Sequence, residues 1–243
     1  MDLAQYLQTE PPHLPMLRLL LNSKAAITIL DVGSCEGEDS LRYLTAFPQS
    51  RVFAFEPFPD NARKIKALIP GELSERFRLI EAAISDEDGE ADLHLSSGQP
   101  PSKSQDDRWD YGNKSSSLLA PAELMQRFHP WLQFKKKIRI PTLRLDSFAK
   151  QAGLNHVDFI HMDIQGAELK ALQGAANLLK KTGLIWIEVA DEMIYSGQPK
   201  AADINSLLTG FGFSLLLSCV ENGFGDHLYV NPAYFAISYP EQA

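Results

Sequence analysis

Ile27-Thr28-Ile29-Leu30-Asp31-Val32-Gly33-Ser34-Cys35-Glu36-Gly37 opens with an apolar run, carries an acid near the end of that run, and then places two glycines in a short loop. A nearly continuous aliphatic and β-branched run is the pattern of a strand buried on both faces, as in a parallel sheet. Asp31-x-Gly33-x-x-x-Gly37 then sits where that strand ends and a helix begins. This is the sheet edge on which open α/β folds bind ligands. Its glycines let the backbone approach a ligand closely. Amide N–H groups and the positive helix end favour a carboxylate or phosphate there, by roughly 0.3–1 kcal/mol each.

The next strand reads Arg51-Val52-Phe53-Ala54-Phe55-Glu56. Glu56 ends it twenty-three positions after Gly33 (56 − 33), close to the spacing at which a Rossmann-type acid holds ribose hydroxyls. Two hydrogen bonds to a carboxylate, at roughly 1.5–3 kcal/mol each, make that grip a large share of cofactor affinity. A dinucleotide fingerprint wants glycine two positions after Gly33, and Cys35 stands there instead. That departure disfavours NAD, while the wider loop suits the zwitterionic tail of S-adenosylmethionine. A methyltransferase is therefore expected ahead of a nicotinamide-dependent oxidoreductase. The binding-class alternative is a module that holds the donor without transferring methyl.

Outward from this loop, helices are expected over 38–47 and 61–68, stopped by Pro48 and by Pro70-Gly71. A third strand follows over 77–84, and the alternation in Ala91-Asp92-Leu93-His94-Leu95 predicts a half-exposed strand of an extra hairpin. Residues 96–133 lose periodicity and read as a lid-like insertion over the site. Strand alternation returns over 138–143, with Asp146 as N-cap of a helix through Ala152. Strand four spans 157–164, helix four 167–181 and strand five 184–189. A helix over 201–208, strands over 213–219 and 227–230, and a short strand over 235–238 complete the chain. The expected fold is α/β, one Rossmann-like domain over 1–243: a doubly wound, mostly parallel sheet with an antiparallel last strand, behind a helical N-terminal cap over 1–26.

With 243 residues, 44% apolar and 22% charged, the chain has the composition of one globular domain. Cys35 and Cys219 are the only cysteines, too few for a disulfide framework, and a cytoplasmic location is expected. The N-terminus has the pattern of neither a signal peptide nor a membrane span. A net charge of −8 opposes phosphate binding, so no nucleic-acid partner is expected. Lys135-Lys136-Lys137 with Arg139 reads as a solvated strand edge. The oligomeric state is not readable.

Six elements together resemble the FkbM-type methyltransferases. They are Leu30-Asp31-Val32-Gly33 with Gly37; Phe55-Glu56-Pro57; Ala83-Ile84-Ser85-Asp86 with Gly89; Ser116-Ser117-Leu118; Thr142-Leu143-x-Leu145-Asp146-Ser147; and Asp158-Phe159-Ile160-x-Met162-Asp163-Ile164-Gln165-Gly166-x-Glu168. The resemblance implies a class I methyltransferase fold, S-adenosylmethionine as cofactor, and a hydroxyl of a sugar or secondary metabolite as acceptor. It places the donor's methionine tail against Asp31, Gly33, Ser34 and Gly37, its ribose on Glu56, Pro57 and Phe58 beside the adenosine, and Ala83 and Ile84 beside adenine. Position 165 is Gln where many members of the family carry Glu.

Transfer to a neutral hydroxyl benefits from a base, typically by two to four orders of magnitude. Asp163 and Glu188, at the carboxyl ends of central strands, are the candidates. Asp163 can equally be a helix-capping acid, and Glu188 a hydrogen-bonded strand-end acid. His161 is expected in the core, and Glu168 at a helix N-terminus. His129 and Trp131 are candidates for an acceptor pocket, with lid packing the plainer role. A metal between Asp163 and Glu188 is disfavoured because no third acid is visibly coupled to them.

Overall fold

The computed structural model describes residues 3–22, 24–102 and 110–238. The N-terminal cap carries α1 (Leu3–Gln8) and α2 (Leu14–Leu20). The βα alternation then runs β1 (Thr28–Val32), α3 (Glu38–Ala46), β2 (Arg51–Phe55), α4 (Pro59–Leu68) and β3 (Phe77–Ile80). It resumes after the insertion with α6 (Leu145–Ala152), β7 (Val157–Met162), α7 (Glu168–Gln173), β8 (Thr182–Ala190) and α8 (Ala201–Gly210). The chain closes with β9 (Ser214–Glu221), β10 (Phe224–Val230) and α9 (Pro232–Ser238).

Seven strands form one sheet in the order β3-β2-β1-β7-β8-β10-β9. Pairing is parallel from β3 to β8, while β10 runs antiparallel to both its neighbours. Alternation along β1 divides the core. Leu30 and Val32 join Ile160, Met162, Ile185 and Ile187 under Phe148 of α6 and Leu172 of α7. Ile29 joins Phe159, Leu184 and Trp186 under Tyr43 of α3 and Leu14 and Leu17 of α2. Each fully buried side chain contributes roughly 1.5–3 kcal/mol, so the cap helix α2 closes one face of the sheet. Among the described residues no helix is long and apolar enough to cross a membrane.

The expected strand over 77–84 is two strands. β3 stops at Ile80, and β4 (Ala83–Ile84) joins β5 (Gly89–Ser97) and β6 (Gln133–Leu143) in a second sheet, in the order β4-β6-β5. The insertion hangs between β5 and β6 and folds a 3-10 turn at Gly112–Ser115 and α5 (Glu123–Phe128). Part of it, 103–109, lies outside the described residues. Lys135, Lys136, Lys137 and Arg139 are exposed on β6, and Arg139 faces Glu90 and Asp92.

Three expectations need correction. The helix over 167–181 ends at Gln173, because Asp146 takes the backbone N–H groups of Asn177 (3.1 Å) and Leu178 (2.9 Å) that a continuing helix would use. Asp146 is for the same reason not the N-cap of α6; Arg144 holds that position. Residues 235–238 are helical, since Pro232 opens α9 at a position where a missing N–H costs nothing.

Candidate functional site

The carboxyl ends of β1, β2 and β7 meet at a cleft that opens to solvent. Gly33, Glu56, Pro57, Ala83, Ile84 and Asp163 line it. Its walls change character along its length, from the Gly33 turn through the Glu56 carboxyl to the apolar Ala83, Ile84 and Leu93. The insertion covers it with Asn113, Lys114 and Ser116 to Leu118.

Gly33 has φ of +91°, and a Cβ there would lie 1.8 Å from the backbone oxygen of Asp163. Its requirement for glycine therefore comes first from the crossing of β1 and β7. Gly33 and Ser34 donate their N–H groups to the Phe55 carbonyl, which locks the loop onto β2. Gly37, at φ +90°, occupies the cap position of α3. Asp31 is buried, accepts the Ser40 hydroxyl and sits 3.8 Å from His161 Nδ1. Burial raises its pKa. Asp31, Ser34 and Gly37 thus shape the loop from behind. Phe58 packs its ring on Ala83, Leu93 and Ile140, and its N–H donates to Glu56 Oε1 at 2.7 Å.

Glu56 is 6% exposed. Burial pushes its carboxyl up to about 8, against the pull of the Phe58 and Cys35 backbone N–H groups. Asn61, in the first turn of α4, donates to Cys35 Sγ (3.8 Å) and accepts from Asn113 (2.8 Å), which also donates to Glu36 (2.7 Å). Lys114 reaches Glu38 at 2.8 Å. These contacts pin the insertion to the cofactor-loop side of the cleft. Cys35, Asn61, Asn113 and Lys114 were not singled out from the sequence as site residues. The usable signal was position: Asn61 follows Glu56 by five residues, in the first turn of α4, and Asn113-Lys114 directly precede the Ser115-Ser116-Ser117 run.

From the cleft floor inward, Asp163, Glu168 and Glu188 bring carboxyl oxygens within 4.8 Å of one another. The premise that no third acid is coupled to Asp163 and Glu188 is corrected: Glu168 is that acid. Its Oε1 accepts the N–H groups of Ile164 (3.0 Å) and Gly166 (3.2 Å), the helix-start role expected of it. Burial, with Asp163 adding to it, raises its pKa to about 7. Glu188 is raised well above the carboxylate range by burial, then by Asp163, Glu168 and Asp226. Asp163 is exposed to the cleft. Gln165 lies between the two candidate bases, its Nε2 2.7 Å from Asp163 Oδ1 and 3.0 Å from Glu188 Oε2.

His161 faces Asp31 across β1 and β7, with Tyr43 Oη 3.0 Å from its Nδ1. That is the core role expected. His129 and Trp131 stack edge-on and do not line the cleft; Trp131 packs against the cluster of Met125, Leu132 and Tyr195.

A model of the methyltransferase FkbM domain matches residues 31–215. The 2-O-methyltransferase NoeI of Sinorhizobium fredii is 37% identical over 183 residues, covering 75% of this chain and 71% of its own. Among solved structures, a precorrin-6y C5,15-methyltransferase from Geobacter metallireducens aligns at TM-score 0.46 with 12% identity, over 92% of this chain and 88% of that one. The N-terminal domain of EvdMO1 with S-adenosylhomocysteine bound aligns at 0.46 with 12% identity, over 93% and 82%.

Proposed function

The chain belongs to the FkbM methyltransferase family, and on that premise we propose that it O-methylates a hydroxyl of a sugar or related small metabolite, with Asp163 as the base. The cofactor is S-adenosylmethionine, which when bound supplies a sulfonium methyl open to in-line displacement. The observation that carries the reading is one cleft running from the Gly33 turn past Glu56 to an apolar end, with the Asp163 carboxyl on its floor. Those residues fit the cofactor: Gly33 for the tail, Glu56 for ribose hydroxyls, Ala83 and Ile84 for the purine.

Asp163 holds the acceptor hydroxyl and takes its proton as the oxygen attacks. Glu188, raised well above the carboxylate range by burial, stands beside Asp163 as the second acid on the Gln165 amide. Tyr195 is fully buried beneath this pair, and the insertion screens it from water. No metal is assigned, because Glu168 Oε1 is held by two backbone N–H groups and the Gln165 amide fills the gap between the other acids. The likeness to a 2-O-methyltransferase directs the acceptor search to secondary hydroxyls. Methyl glycosides with a free 2-hydroxyl, each paired with its 2-deoxy analogue, should separate products by mass spectrometry. Methylation of the 2-deoxy compounds at equal rates would overturn the 2-position. Transfer to none of them, with methylation of a nitrogen or carbon nucleophile instead, would overturn the hydroxyl reading.

Glu56 gives a separate test. Ribose O–H groups favour an ionised acceptor, and the free carboxyl titrates at about 8 rather than 4.5. Affinity for S-adenosylhomocysteine should therefore rise about tenfold or more between pH 6.5 and 8.5, then level off. The ligand-free protein should lose stability as pH rises from about 4.5 to about 8, since over that range its folded state holds a proton that the unfolded state releases. Glu56→Gln should weaken binding at least tenfold at pH 8.5, ~1.4 kcal/mol, and remove the pH dependence. Calorimetry showing unchanged affinity in the folded variant would refute the ribose assignment.

A further inference from the structure

Gln165 is a non-glycine residue held at φ +56°, followed by Gly166 at φ +94°. For a residue with a Cβ, that left-handed conformation costs roughly 1–2 kcal/mol. Such strain persists only where the surroundings over-determine it, and it concentrates at functional sites. Every polar group of Gln165 outside its own N–H is engaged. Its backbone oxygen accepts the Ser117 hydroxyl at 2.7 Å, its Nε2 faces Asp163 and Glu188, and its Oε1 lies 2.9 Å from the Tyr195 hydroxyl. Tyr195 Oη is also 2.8 Å from the Ser115 carbonyl, so its one proton lies between the insertion and the amide.

The chemistry of the partners settles the orientation of the amide. Turned over, its oxygen would face the Asp163 carboxylate at hydrogen-bond distance with no proton between them. As placed, each N–H of the NH2 group meets one acid. Two carboxyl groups this close repel when both ionise, and a neutral double donor is the smallest group that holds them together without adding charge. A Glu at position 165 would instead bring a further negative charge against Asp163, Glu188 and Glu168.

We propose that Gln165 is a positioning residue for the methyl transfer, holding the Asp163 carboxylate beside Glu188 through both N–H bonds of its amide and tying that pair to the Ser115–Ser117 strap over the donor. The assignment rests on Asp163 being the base. It makes closure of the strap and alignment of the base one event, because Ser117 and Tyr195 fix the same residue from above and below. Gln165 acts through Asp163: its amide determines where that carboxyl stands.

The test is carbon-13 NMR titration of labelled Asp and Glu carboxyls in protein saturated with S-adenosylhomocysteine, with Asp163→Asn used to assign the Asp163 signal. The groups that face Asp163 are Glu188, Glu168 and Asp226, with Tyr195 beside them. Gln165→Glu should move the Asp163 midpoint up by about one pH unit or more, since it removes a donor and adds a negative charge. Gln165→Met should move it in the same direction but less. Both should keep affinity for S-adenosylhomocysteine within about threefold. Tyr195→Phe leaves Gln165 in place and frees its amide; it should give a smaller upward shift and serves if the Gln165 variants do not fold. An Asp163 midpoint unmoved in every folded variant overturns the proposal. An inactive Asp163→Asn enzyme alongside that result would overturn only the role of Gln165, whereas wild-type turnover by Asp163→Asn would overturn the base itself.

Discussion

Asp163→Asn is expected to lower methyl transfer at least a hundredfold, ~2.7 kcal/mol in the barrier, while leaving affinity for S-adenosylhomocysteine within about twofold. Asn matches the carboxyl in size and can still accept the Gln165 amide, so the lost property is the capacity to take a proton. Asp163 is well suited to that capacity. It is the exposed member of a three-acid cluster in which Glu168 and Glu188 are both raised. The measurement is single-turnover transfer to an active glycoside across pH 5 to 9. The wild-type rate should fall on the acid side of the carboxyl's midpoint, and the residual rate of the variant should show no such limb. Wild-type turnover in a folded, donor-saturated variant would remove Asp163 from the chemistry and leave Glu188 or positioning alone.

Gly33→Val should have the larger effect on the protein as a whole. A Cβ at this position would lie 1.8 Å from the Asp163 carbonyl, and the φ of +91° is one that a β-branched residue resists. Asp163 N–H is itself bonded to Val32 O at 3.0 Å, so the carbonyl cannot move without parting the ends of β1 and β7. Strain alone is on the order of 1–3 kcal/mol, and displacement of buried backbone adds to it. A loss of roughly 4 kcal/mol or more is expected, read by urea denaturation. Gly33→Ala should show the same direction in milder form. A Gly33→Val protein with native stability and native affinity for S-adenosylhomocysteine would contradict both the crossing and the cradle.

The elements that the sequence placed well are those whose physics is local. The apolar run into Asp31-Val32-Gly33, the strand ending at Glu56 and the Pro48 stop each depend on neighbours within a few residues, and the structure has β1, β2 and α3 there. The misplaced ones depend on distant partners. The sequence pattern carries helix four through Gly174 because nothing nearby forbids it. What stops it is Asp146, some thirty residues earlier, capturing the N–H groups of Asn177 and Leu178. The stretch 77–84 reads as one strand because its apolar character continues, whereas its two halves pair in different sheets, β3 with β2 and β4 with β6.

The same division holds at the site. Glu56 and the glycine loop were legible because strand ends and the spacing between them are written along the chain. Asn113 and Lys114 were not, since nothing in an aperiodic segment states which strand edge it will cover. Asp163 and Glu188 were legible singly, as acids at strand ends, but their relation was not. By itself the sequence determined a mostly parallel α/β sheet and the strand ends that line its cleft, because periodicity and turn chemistry act within one or two turns of chain. Only the tertiary structure decided that Glu168 joins the two candidate bases, that Gln165 stands between them and that the insertion is fastened to both sides of the cleft. Those facts depend on which side chains from distant segments share a volume of low dielectric, where a few ångströms decide which carboxyl keeps its charge.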